Sequence, residues 1–359
     1  MTDLENAVNY LISITKSPPD MNFHHYLQKA HEDIYEAGLK ADNADRNRAL
    51  SKMASLIPKV GSITAAVVAL CCGFLVEHGA DPLIAFQSII LRLEEIIADA
   101  IPFGKACQEE GVFSGDVDNP EELMEAVQIK MPDNGQAWEA LKLFYLAAIA
   151  MLSRSKQARQ IILTNESLQG LIIELKDINE GAHWLYSMTR VLDAEEILVL
   201  HPEHKRGYRI QISGITDNYQ LQILLADALI GNEEEGWLPG ERPDPQIVNL
   251  FRDQNIYRQE EVLTAYGVFN LVNWDGLQPD GTLPANVNSE SWIWGEGSPI
   301  DIRKYEGRRI ILLQPPPYQR TWNAVRQFSG MIGELEVLEK LSQEEVNDWL
   351  TRIANANKK

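Results

Sequence analysis

Apolar residues recur at every third or fourth position through most of the first half of the chain, the spacing that lines one face of a helix. Leu4 to Ile14 reads as a short helix closed by Ser17-Pro18-Pro19, since proline and the residue before it resist helix. Asn22 to Leu39 follows, with Phe23, Tyr26, Leu27, Ala30, Ile34 and Ala37 in register, and Asn43 to Ile57 stops at Pro58. Next come Ser62 to Glu77 and Pro82 to Ala100, the second with Asp81 as cap and proline at its first position. Asn119-Pro120-Glu121-Glu122 is a further start signal, with acids in the first turn. The longest pattern runs from Gly135 to Ile162, and Ser167 to Val191 holds one or two more helices. No fixed repeat period relates these segments. That favours an irregular helical bundle, with a degenerate HEAT-like array as the alternative.

Near residue 195 the pattern changes. Ile197 to Leu200 is a short β-type run, and Tyr208 to Ile212 alternates with period two, so the polar stretch between them predicts a hairpin. Asn218 to Ile230 is amphipathic and helical. Tyr266 to Val272, Ser291 to Trp294 and Arg309 to Leu313 read as strands, the last ended by Pro315-Pro316-Pro317. Tyr318 to Leu335 and Ser342 to Ala356 read as two closing helices, with Ser342 and Glu345 spaced as a capping box. The expected fold is α+β: an all-α helical bundle over 1–192, then a mixed, mostly antiparallel α+β domain over 193–359 with a small sheet and two C-terminal helices.

Composition narrows the classes. Of 359 residues 45% are apolar and 23% charged, as in folded globular chains. The formal charge is −20, with 16 basic and 26 acidic side chains in 1–190 and the same numbers in 191–359, so each half carries −10. An evenly acidic surface repels phosphate backbones and anionic lipid, so no nucleic acid or membrane partner is expected, whereas a basic partner protein or cationic ligand would be attracted. The uncharged run Val60 to Val76 sits at the short limit for crossing a bilayer of about 30 Å and is expected to be a buried helix. Cys71, Cys72 and Cys107 form no disulfide framework or zinc pattern, and the N-terminus lacks a basic and apolar leader. The chain reads as cytoplasmic. Oligomeric state has no signature.

No catalytic motif is present: no P-loop, dinucleotide fingerprint or nucleophile elbow occurs. The best metal candidate is His201-Pro202-Glu203-His204, two imidazoles and a carboxylate within four residues. Spacing supplies no further ligand, so an exposed hairpin turn without bound metal is expected, and no cofactor. His24, His25 and His31 read as a solvated helix face.

Tryptophans gather in the second half: Trp237, Trp274, Trp292, Trp294, Trp322 and Trp349. Trp292 and Trp294, two apart, would share a strand face, and with Tyr266 or Trp274 they would floor a groove anchored by Glu296 and Asp301. The competing reading is a sheet face packed beneath Trp322 and the last helices. Trp237 and Leu238, framed by the acids from Glu233 to Asp244, suit a lid or partner contact, or a staple holding the loop to the body. The expected function is a cytoplasmic binding or regulatory protein acting through protein contact. The alternative is an enzyme or small-molecule-binding protein with an aromatic-lined pocket in the C-terminal domain or at the domain junction.

Overall fold

The structure, a computed structural model, describes residues 2–16, 22–114, 119–252, 262–328 and 330–358. The chain is α+β and divides into two compact units, Met1–Thr189 and Arg190–Lys359. The first contains α1 (Asp3–Thr15), α2 (Phe23–Lys40), α3 (Asn43–Ala54), α4 (Ser62–Glu77), α5 (Leu83–Glu109), α6 (Pro120–Lys130), α7 (Pro132–Arg154), α8 (Lys156–Thr164), α9 (Glu166–Leu175) and α10 (Glu180–Thr189). The predicted stop at Ser17-Pro18-Pro19 lies outside the described residues.

Helix α4 is apolar on nearly every side and correspondingly buried, from Ala65 and Val68 to Leu75 and Val76. Helix α7 packs against both α4 and α5, bringing together segments far apart in sequence, so the unit is a bundle and not an array of neighbours. No described helix is long and apolar enough to cross a membrane. Two expectations are corrected. The helix expected to end at Ala100 continues through Pro102 to Glu109 as α5, because buried Phe103, Gly104 and Cys107 prolong the packed stripe. The long Gly135–Ile162 pattern is two helices, broken where the Ser155 side chain accepts from the Ala158 backbone N–H and caps α8.

The second unit holds β1 (Glu195–His201), β2 (Arg206–Ser213), α11 (Asn218–Leu229), α12 (Pro245–Arg252), β3 (Thr264–Tyr266), β4 (Asn270–Asn273), β5 (Lys304–Tyr305), β6 (Arg308–Gln314), β7 (Thr321–Asn323), β8 (Glu334–Lys340) and α13 (Gln343–Ala356). Strands lie in the order β4-β6-β1-β2-β8, with β5 also pairing β6, and β3 and β7 form a separate ribbon. Strands β1 and β2 form the expected hairpin. All pairs in the main sheet are antiparallel except β1 with β6, where Leu200 lies beside Leu312.

Side-chain alternation splits the sheet into two packed faces. Ile197, Val199, Ile210, Ile212, Ile311 and Leu313 meet α11 and α12. Leu198, Leu200, Ile310 and Leu312 meet Val346, Leu350 and Ile353 of α13. Helix α13 opens with the expected capping box of Ser342 and Glu345.

Three assignments in this half are corrected. Tyr318–Leu335 is not a helix but contains β7 and leads into β8, so one C-terminal helix closes the chain and not two. Leu335 and Val337 alternate with glutamates, and that period of two wins because β2 offers an edge to pair with. Tyr266–Val272 splits between the two sheets at Gly267. Ser291–Trp294 is a 3₁₀ turn over Ser289–Ser291 followed by a single bridge between Trp292 and Val272.

Candidate functional site

The sequence of β1 ends at Pro202 and that of β6 at Pro315-Pro316-Pro317, because proline cannot continue a hydrogen-bonded ladder. The two strands are parallel, so their carboxyl ends, His201 and Gln314, open on the same side of the sheet. That side carries a crevice of about 550 Å³ walled by Leu283, Ala285, Leu313 and Pro315–Pro317, with His201, Glu203, Lys205, Thr282 and Gln314 as its polar groups.

His201 is only 4% exposed. Its Nδ1 accepts from the backbone N–H of His204 at 3.3 Å, so the neutral ring carries its proton on Nε2. Burial, reinforced by the neighbouring His204 imidazole, pushes its pKa down to about 4. His204 and Glu203 are exposed, and the two imidazole rings lie 4.5 Å apart, edge to face. Among the described residues no group of three or more His, Cys, Asp or Glu side chains comes together as a metal site.

The depressed His201 pKa sets a pH dependence. Between pH 6.5 and about 4 the unfolded chain binds a proton at this residue that the folded chain does not. Its contribution is therefore complete above pH 6.5 and lost as pH falls through that window, by at most about 3 kcal/mol. Urea unfolding from pH 7 to pH 4 is expected to show the loss in the native protein and a flatter profile in His201→Gln. Parallel profiles would contradict it.

The predicted aromatic residues separate into several settings. Trp237 stacks on Tyr208, with centroids 6.0 Å apart and planes 6° from parallel, beneath Lys340 Nζ at 4.3 Å, and Leu238 is fully buried. The acidic loop is thus stapled to the body through its tryptophan. Trp274 packs on the α13 face beside Tyr305, at 5.1 Å. Trp292 and Trp294 lie 5.0 Å apart, the first half-buried on the α13 face and the second 48% exposed. Trp322 belongs instead to the α11 face, against Tyr219. Glu296 accepts a 2.5 Å hydrogen bond from the Tyr219 hydroxyl, which holds its carboxyl below the usual range. Asp301 is engaged by Arg190 at 2.5 Å, and Tyr266 stands 53% exposed on the ribbon.

Around Trp292 the structure assembles polar groups that the sequence pattern did not single out. The Arg320 guanidinium lies over the Trp292 ring at 4.6 Å and over Tyr318 at 5.2 Å. Its Nε and Nη2 are buried without a hydrogen-bond partner, as are Trp292 Nε1 and both side-chain atoms of Asn270, which is 0% exposed. Asn270 shares the α13 face with Val272, the residue bridged to Trp292. Arg320 and Asn270 were hidden inside a presumed helix and a presumed continuous strand. The available signal was an arginine spaced between Tyr318 and Trp322 directly after three prolines.

Neither a family model, nor a curated protein, nor a solved structure matches the chain.

Proposed function

We propose that the second unit is a small-molecule-binding domain whose site is the crevice at the carboxyl ends of β1 and β6. The observation that carries this reading is a half-open, mostly apolar crevice of about 550 Å³ meeting a neutral, oriented imidazole. Ligand pockets span about 300–1,000 Å³ and pair apolar walls with few polar groups. The prolines and leucines suit an apolar body, and His201 Nε2–H suits a carbonyl or ether oxygen. Glu203 and Lys205 at the rim suit an uncharged or zwitterionic ligand better than a strongly charged one. Binding is favoured over catalysis because an imidazole with a pKa of about 4 is a weak base near neutrality. The three buried free thiols support a cytoplasmic setting. A basic protein partner is a second reading, favoured by the exposed carboxylates of Glu233–Glu235.

Nile red, an uncharged apolar dye, is expected to bind the native protein at one saturable site with enhanced, blue-shifted fluorescence. Ala285→Trp, which places an indole in the crevice mouth, is expected to weaken that binding tenfold or more. No binding to the native protein, or equal binding to both, would overturn the reading.

A further inference from the structure

Arginine carries five N–H donors, and Nε–H with one Nη2–H points outward along a single edge of the planar guanidinium. That edge matches the two oxygens of a carboxylate. In Arg320 these are the two atoms left buried and unpartnered. Desolvated donors on a cation are costly to leave unmade. The chain has 52 acidic side chains, yet the carboxylate of Glu296, near enough to feel the Arg320 charge, takes its hydrogen bond from Tyr219 instead.

The surroundings select further. Trp292 fixes the plane of the guanidinium by cation–π contact at 4.6 Å, which removes rotamer freedom before any ligand arrives, and the Tyr318 ring lies 5.2 Å away. Asn270, fully buried with its amide unpartnered, and Trp292 Nε1 add neutral hydrogen-bonding groups on the same sheet face. Tyr318 and Trp294, 56% and 48% exposed, offer ring faces to solvent at its margin.

We propose that Arg320, with Trp292, Tyr318 and Asn270, is a recognition site for the carboxylate of a small aromatic acid, covered by Tyr318 in the state seen here. Movement of the exposed Tyr318 side chain admits the acid to the guanidinium, and its aromatic ring lies against the exposed Trp294. The site stands on the side chains around Arg320 and is independent of the crevice reading.

Thermal unfolding with benzoate as the probe, at ionic strength matched with chloride, tests this, with benzamide as the uncharged control. A ligand that binds only the folded state raises Tm as its concentration passes Kd. Benzoate is expected to raise the Tm of the native protein and benzamide to leave it unchanged. Arg320→Met should melt no lower than the native protein, because it removes two desolvated, unpartnered donors at similar volume, and should not respond to benzoate. Arg320→Lys, which keeps the charge and loses the fork, should need at least tenfold more benzoate for the same shift. The proposal is overturned by a native protein indifferent to benzoate, by equal responses to benzoate and benzamide, or by variants that respond like the native protein. It is equally overturned if Arg320→Met and Arg320→Lys both melt well below it, the mark of a structural arginine. If Arg320→Met alone fails to fold, Arg320→Lys decides.

Discussion

Replacing Gly214 with valine is expected to destabilise the second unit by about 3–5 kcal/mol, combining a strained backbone with overpacking. Gly214 has a φ of +64°, where a β-branched residue is disfavoured. A Cβ there would sit 2.2 Å from the carbonyl oxygen of Ile332, which is backbone and cannot rotate away. The position joins the end of β2 to Leu192, whose carbonyl accepts from the Gly214 N–H at 3.1 Å. The strain therefore falls where the sheet begins. Urea unfolding monitored by circular dichroism measures it, with Gly214→Ala expected to be milder. A loss below about 1 kcal/mol, within the range of an ordinary surface substitution, would mean the chain is not held in this conformation.

Truncating Tyr208 to alanine is expected to cost a similar amount, about 3–5 kcal/mol for a large buried aromatic. Tyr208 is 0% exposed, donates from its hydroxyl to the Gly236 carbonyl at 2.9 Å, and stacks on Trp237. One residue thus ties core to acidic loop. Tyr208→Phe keeps the stack and loses only the hydrogen bond, at about 1 kcal/mol. Limited proteolysis should cut Tyr208→Ala rapidly near Glu233–Glu235 and spare Tyr208→Phe. Equal cutting rates would show that the loop is held by something other than this stack.

The helical half was legible because each helix carries its own signals. Ser62 to Glu77 coincides with α4, and Asn119-Pro120 marks the start of α6 as its proline and acids require. Where a boundary rests on tertiary context the pattern misleads, as at the expected end at Ala100, beyond which burial carries the helix through Pro102. In the second half, β1, β2 and β6 were readable from continuous apolar or alternating runs. The segment from Tyr318 to Leu335 was not, because spacings of two and of three to four both fit its apolar residues. Which one wins depends on the edges that β3 and β2 offer to β7 and β8, facts about other parts of the chain.

The candidate site shows the same division. His201, Glu203 and His204 drew attention through residue type, yet what matters is that His201 ends a strand parallel to β6, a pairing across more than a hundred residues. Trp292 and Trp294 are neighbours as their spacing suggested. Arg320 acquires meaning only once folding places it over Trp292.

Native mass spectrometry of the full-length protein, purified without denaturation from its own source, tests most directly whether the crevice between His201 and Pro315–Pro317 is a ligand site. The native protein is expected to carry one non-covalent adduct of constant mass that is released on unfolding, and Ala285→Trp purified in parallel is expected to lack it. A native protein of bare-chain mass, or an adduct retained by Ala285→Trp, would contradict the assignment.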